Sequence, residues 1–369
     1  MSAPAAREAE ESGHGVRIAR VAGIPVYLAP SWFLIAVVII AVVAGPVLTT
    51  RPLFGIGVGV LQALLLLVCV LAHEAAHAVT ARAFGMPVLR IVANVWGGHT
   101  SMEAVRSTPG RMAAVAAAGP LANAALALLA YAVAPVVTGD LTHRLVEGMV
   151  IINGSLAVLN LLPGMPLDGG QVVECLVWKA TGDRNKGAVV AGWCGRVVTV
   201  LVVLWFFVRP VALGQGIGFG SIWVLVIASV LWAGASESVR RGTALGKLGR
   251  LRVQDVAERA VVVAPDSTVG MALDHPDIVL TTDERGVPCL VFGAMDLALH
   301  HDLDRQAPVS AAVFRVPDAN VVDAGPQDGV EVVVAAMQQT GSGTVVLTSG
   351  GRAWGVTSVD RINAAAERN

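Results

Sequence analysis

His73-Glu74-Ala75-Ala76-His77 sets two imidazoles and a carboxylate within one short stretch. On a helix, residues four apart lie one above the other, so both rings can face one Zn2+ while the glutamate stands beside them as a general base. A hydrolytic zinc site takes three protein ligands and keeps one position for water. The third donor must therefore come from elsewhere in the chain. The best candidate is Asp168, in the run Asn160-Leu161-Leu162-Pro163-Gly164-Met165-Pro166-Leu167-Asp168-Gly169-Gly170. The prolines and glycines break helical spacing there, so the carboxylate is free to turn inward. Zn2+ held by His73, His77 and Asp168 would polarise a scissile carbonyl and lower the pKa of water toward about 7. Glu74 would take the water's proton and pass it to the leaving amine. An Asp before Gly-Gly is commonly a turn residue, and only its company with the His pair lifts Asp168 above that role.

Other polar residues are weaker candidates. Asn160 follows Asn153 by seven residues, two helical turns, so both amides share a face. An amide there can donate to a developing oxyanion or hold a substrate backbone, and this role is assigned to Asn160. Asn153, and Asn123 in Gly119-Pro120-Leu121-Ala122-Asn123, read as interhelical ties. Cys69 shares the helix face of His73 but reads as a small buried apolar residue. His99, after Gly97-Gly98, reads as a loop or interfacial imidazole, and His14, His143, His275, His300 and His301 carry no paired spacing.

The elements that must position these residues are apolar. The chain is 55% hydrophobic and 14% charged, against about 25% charged in a typical soluble domain. Much of it must lie in lipid. Net charge is -1, which gives no basic surface for nucleic acid. The four cysteines form no CxxC pair and indicate no disulfide framework, and no cleavable signal peptide is visible. Six apolar segments approach the ~20 residues needed to cross a bilayer: Trp32–Leu48, Leu53–Thr80, Met112–Val137, Gly148–Leu162, Val189–Val208 and Gly216–Ala235. The His pair sits at the end of the second, and ionisable residues inside a span mark function by default. Lys and Arg concentrate in alternate connections (Arg82, Arg90, Arg106 and Arg111; Lys179, Arg184 and Lys186; Arg240 to Arg252), while the others hold only Arg51, Arg144 and Arg209. That asymmetry puts both termini and the His73/His77 end of the second span on the cytoplasmic side of a multi-pass cell-membrane protein. Met86–Glu103 reads as a short β-hairpin dipping toward the core.

The expected fold is a polytopic α-helical membrane protein with about six transmembrane helices, a hairpin after the second, and an α/β cytoplasmic part. Its divisions are an N-terminal segment 1–30, a membrane domain 31–238, a Gly/Lys/Arg-rich linker 239–252, and a repeated β-α-β-like region 253–366. The repeats are Val253–Leu299 and Val309–Ile362, with amphipathic segments Val269–Leu273 and Val330–Met337 and strand-like runs Val287–Phe292 and Thr344–Thr348.

The three motifs around His73, Gly119 and Asn160 together resemble the site-2 protease family of intramembrane zinc metalloproteases, of peptidase M50 type. The resemblance covers the membrane half of the chain. It implies zinc held by His73, His77 and Asp168, Glu74 as catalytic base, and a polar role for Asn160 near the scissile bond. It also implies cleavage of a single-pass membrane protein or its remnant, such as an anti-sigma factor, and use of the hairpin around Gly97 to receive substrate. The C-terminal repeat resembles a tandem CBS-domain pair. Its segment Gly355-Val356-Thr357-Ser358-Val359-Asp360 is similar to the G-x-T-x-x-D stretch that holds nucleotide ribose and phosphate, which implies an adenine nucleotide (ATP or AMP) at Thr357 and Asp360. Gly293-Ala294-Met295-Asp296-Leu297-Ala298 in the first repeat lacks that Thr and Asp. CBS pairs commonly associate, so a homodimer is expected. Two other classes compete: a divalent metal transporter, and an inactive nucleotide-sensing membrane scaffold.

Overall fold

In lipid a chain must satisfy its own backbone, and apolar runs of this length do so as helices. The computed structural model describes residues 15–95, 97–102, 107–214, 219–283, 285–290, 304–311 and 316–368. The apolar runs form α1 (Trp32–Ala44), α2 (Pro52–Ala83), α3 (Pro109–Val133), α4 (Asp140–Asn160), α6 (Arg184–Val203) and α7 (Phe219–Leu248). Proline opens α2 and α3, where a helix has no partner for the missing N–H. The Thr108 side chain caps α3, and the Asp183 side chain accepts from Asn185 and Lys186 to cap α6. Among the described residues, four helices are long and apolar enough to cross a membrane: Pro52–Ala83, Pro109–Val136, Arg184–Ala212 and Ser221–Leu248. Of the six expected spans, the first is a shorter apolar helix, and the fourth, α4, does not reach that standard. Large apolar side chains on these helices face outward, Leu64, Val68, Leu128, Leu201 and Trp205 among them, as on a surface covered by lipid.

Three features depart from expectation. An amphipathic helix, α5 (Asp168–Thr181), occupies what reads as a loop. Arg196 lies within α6, roughly 18 Å along the axis from its first residue. It is stacked on Trp193 and Trp232 and donates to the Ser236 hydroxyl at 3.3 and 3.2 Å. The N-terminal segment, read as a polar stretch, folds from residue 16 into strands β1 (Val16–Val21) and β2 (Ile24–Leu28), joined at Ala22-Gly23 with φ of 48° and 81°.

Those strands extend the expected hairpin, β3 (Val88–Asn94) and β4 (Gly97–Met102), into a four-stranded sheet of order β1-β2-β3-β4. β2 and β3 run parallel and the other pairs antiparallel, which leaves β4 at one edge. Ile24, Val26 and Ile91 bury themselves around Ala78 of α2, one residue past His77. Beneath the same turn, Ala81, Met86, Met112, Val115 and Cys175 join α2, α3 and α5 in one apolar cluster.

Cα proximity divides the chain into two units, Met1–Gly242 and Thr243–Asn369. The stretch expected as a linker is helical as far as Leu248, as the end of α7. The second unit contains the short helix α8 (Val253–Val256), then β5 (Glu258–Val263), α9 (Val269–Leu273), β6 (Ile278–Thr282) and β7 (Pro288–Leu290). It continues with β8 (Val321–Asp323), α10 (Val330–Thr340), β9 (Thr344–Ser349), β10 (Arg352–Ser358) and α11 (Val359–Arg368). Each half is thus a parallel β-α-β followed by an antiparallel strand. The halves join through β5 and β10 into one six-stranded sheet, β7-β6-β5-β10-β9-β8. Val253, Val256, Val330, Val333, Leu347 and Ile362 form its main core. Gly293–Ala298 of the first repeat, His14, His300 and His301 lie outside the described residues.

Candidate metal centre

An uninterrupted α2 carries His73, Glu74 and His77, and all three side chains are buried. The two Nε2 atoms are 3.1 Å apart. Asp168 Oδ2 stands 3.0 Å from His73 Nε2 and 3.4 Å from His77 Nε2. Tetrahedral ligands about 2.0–2.1 Å from a zinc ion lie roughly 3.3–3.4 Å from one another. The triangle of donor atoms matches that spacing.

Its protonation points the same way. His77 Nδ1 is 2.7 Å from Val115 O, which only accepts, so that nitrogen carries a proton, and in the neutral ring Nε2 keeps its lone pair. His73 Nδ1 is 2.5 Å from Asn123 Oδ1, with the same consequence. With both rings neutral, as metal ligation requires, two lone pairs and a carboxylate oxygen face one another. A cation relieves that arrangement, and two imidazoles with one carboxylate suit Zn2+.

Asp168 reaches the histidines because it is the first residue of α5, at the end of the tight loop 161–167. That loop is fixed to α6 by the hydrogen bond from Met165 N to Ala191 O at 3.0 Å. Glu74 has its ligand-type atoms within 4.8 Å of both imidazoles. Its Oε2 accepts from the Thr100 hydroxyl of β4 at 2.8 Å. Gly98 of the same strand lies directly against it, for a Cβ there would be 2.5 Å from Glu74 Cγ. A base, three ligand atoms and a strand edge are thus brought to one place.

Residues 61–145 and 136–204 match the family model of Peptidase family M50. Both matched stretches fall within the first unit. The chain is 32% identical over 247 residues to a Synechocystis protein named "Putative zinc metalloprotease sll0528", a match covering 66% of this chain and 64% of that protein, less than two thirds of its length. The solved Site-2 Protease from Methanocaldococcus jannaschii is 22% identical, covering 61% of this chain and 95% of its own, with a TM-score of 0.44. A solved CBS domain of a CBS domain-containing membrane protein from Sphaerobacter thermophilus is 18% identical, covering 36% of this chain and 96% of its own, with a TM-score of 0.26.

Within the first unit, the structure brings His73, His77, Asp168 and Glu74 together. Asn160 ends α4, half-buried, with no hydrogen bond to the four among the described residues. Asn123, read as a helix tie, does join α3 to α4 through Asn153, and it also touches a candidate ligand, His73. Thr100, Gly98 and Gly119 escaped the sequence reading, although Gly97-Gly98 and Gly119-Pro120 flagged their neighbourhoods. Cys69 is buried and its Sγ accepts from Asn153, consistent with a packing role. His99 is exposed on β4 opposite Val92. In the second unit, Thr357 is 1% exposed and its hydroxyl donates to Val256 O at 2.9 Å, while Asp360 is exposed in the first turn of α11. The Thr357 hydroxyl is thus engaged by the backbone.

Proposed function

We propose that the first unit is a member of peptidase family M50, an intramembrane zinc endopeptidase that hydrolyses peptide bonds in membrane-spanning segments of other proteins. The observation that carries this is the convergence of three donor atoms at ligand spacing, with a buried carboxylate beside them, at a helix long enough to span a membrane. The His pair lies six to ten residues before Ala83, roughly 9–15 Å inside that end of α2. The Lys/Arg asymmetry makes that end, and both termini, cytoplasmic.

A bound Zn2+ supplies Lewis acidity at the scissile carbonyl. His73, His77 and Asp168 would hold it. Glu74 takes a proton from the attacking water at its carboxylate and returns it to the leaving nitrogen. Thr100 holds one carboxylate oxygen, so the other is aimed and free to work. A helical amide is shielded by its neighbours, so the substrate must unwind before attack. The edge of β4 offers an unwound segment backbone partners beside Glu74. Asn160 supplies a further amide for that segment. Spans containing Gly, Pro or Asn are the favoured substrates, drawn from single-pass membrane proteins. The second unit adds regulation by self-association, with an adenine nucleotide at the Gly355–Asp360 segment as its effector.

Co-expression of wild type and Glu74→Gln in the native host tests this. Membrane proteins whose intact form accumulates only with the variant are the expected result. Equal processing by Glu74→Gln or by Asp168→Ala, with the protein inserted, refutes the role given to that residue.

A further inference from the structure

Behind His73 two asparagines are buried where three helices meet. Asn123 of α3 and Asn153 of α4 are each 0% exposed. Buried amides in a membrane domain are costly unless every donor and acceptor is met. Here they are met in one direction only. Asn153 Nδ2 is 3.0 Å from Met149 O and 3.0 Å from Cys69 Sγ. A carbonyl only accepts, so the NH2 of Asn153 must face Met149 and its Oδ1 must point the other way. There it receives Asn123 Nδ2 at 2.7 Å. With its NH2 committed, Asn123 has only Oδ1 left for His73 Nδ1, 2.5 Å away. In its neutral form His73 then carries its proton on Nδ1 and presents a bare Nε2 to His77 and Asp168.

We infer that Asn153 and Asn123 are positioning residues for the metal site. The Met149 carbonyl, one turn earlier on α4, sets through two amides which nitrogen of His73 is free to ligate. The inference rests on the reading of His73 as a ligand. A reversed Asn123 would aim its NH2 at Nδ1, move the imidazole proton to Nε2 and remove the ligating lone pair. His77 needs no such relay, because its Nδ1 meets the Val115 carbonyl directly, and a carbonyl has no reversed form. Partners of this kind fix the tautomer and orientation of a metal-bound histidine, and losing one typically costs about 10–100-fold in metal affinity.

The test is metal affinity of the purified full chain in detergent, read from Co2+ absorption and from Zn2+ competition with a chelator. Thermal unfolding of each variant is recorded alongside. Asn123→Leu and Asn153→Leu should each weaken binding about 10–100-fold. Asn123→Asp should bind about tenfold more tightly than Asn123→Leu, since a carboxylate accepts from Nδ1 whichever way it turns. The decisive comparison is Asn153→Leu in the Asn123→Asp background, where it should cost less than about threefold, because a carboxylate has no wrong orientation to adopt. Asn153→Ala replaces the Leu variant should that one misfold. An equal loss in both backgrounds means that Asn153 acts only by packing, and overturns the inference. So does wild-type affinity in the single Leu variants. A wild type that binds no Co2+, or binds it equally after His73→Ala, overturns the metal-site reading as well.

Discussion

A methyl group on Gly119 would lie 2.4 Å from His77 Nε2 and 2.7 Å from His73 Cε1. Those are the edges of the two rings that must face the ion, and neither can retreat without leaving its Nδ1 partner. Gly119→Ala should therefore reduce Co2+ or Zn2+ affinity more than about 100-fold, beyond what losing one outer hydrogen bond does. Alanine is the better helix former by about 1 kcal/mol, so circular dichroism should show no loss of helix. Normal metal binding by this variant would contradict the ring positions. Thr100→Val is a milder change. It removes the donor that aims Glu74, and should lower kcat by about tenfold with metal affinity unchanged. A matched fall in metal content would show that Thr100 supports the ligands instead. The four central residues were legible in sequence because H-E-x-x-H on a helix is a local pattern, and because a hydrolytic metal must find a third ligand. Gly119 and Asn123 were legible only as marks of a tight helix crossing. What they are tight against depends on which helix lies opposite, and no spacing within α3 records that. Thr100 sits two residues past Gly98 in the same strand, with nothing local to set it apart from any other threonine.

Between α4 and α5, the loop 161–167 carries Asp168 to its place, and the helices beside it leave little room. A Cβ on Gly195 of α6 would lie 2.0 Å from Met165 O, and one on Gly234 of α7 2.7 Å from Pro166 Cγ. Backbone oxygen cannot rotate away as a side chain can. Gly195→Ala should displace the loop, cost about 1–3 kcal/mol of stability as overpacking does, and weaken metal binding although it touches no ligand. A thermal shift without any loss of metal would mean that the loop moves independently of Asp168. A second clamp lies at the far end of α5. Glu174, buried, accepts from Arg184 Nε at 2.7 Å, and Arg184 also stacks on Trp178. Arg184 is itself about half exposed, so Arg184→Met should cost about 1–2 kcal/mol, less than a fully buried pair would lose. Long helices were readable from hydropathy, yet α5 was not, because Glu174 and Lys179 interrupt its apolar run and its 14 residues fall short of a span. β1 was passed over because Arg17 and Arg20 made the segment read as polar, although Val16, Ile18 and Val21 are spread along it.

At the scale of the whole chain, the two units have separate means of support. The second unit was legible in part: Val-rich runs between turn signals announced β-α-β repeats. The order of its six strands was not, because pairing β5 with β10 joins residues about a hundred positions apart, beyond any local pattern. Its main core draws on Leu251 through Ala365, within its own bounds. Among the described residues, the metal site draws only on the first unit. His73, His77 and Asp168, their partners Asn123, Asn153 and Val115, the base with Thr100, and the clamps at Gly195 and Gly234 all precede Gly242. If the metal centre is built by packing within that unit, a chain ended after Gly242 should bind Co2+ within about threefold of the full-length protein, since changes at distant independent sites combine without coupling. If the second unit regulates cleavage, it must then act on substrate entry or on turnover, and the shortened chain should differ in cleavage rate while matching in metal affinity. Parallel measurement of Co2+ binding and substrate cleavage on the two chains separates these. A tenfold or greater loss of metal on shortening would show that the second unit helps to hold the centre together, and would move its role from regulation to construction of the site.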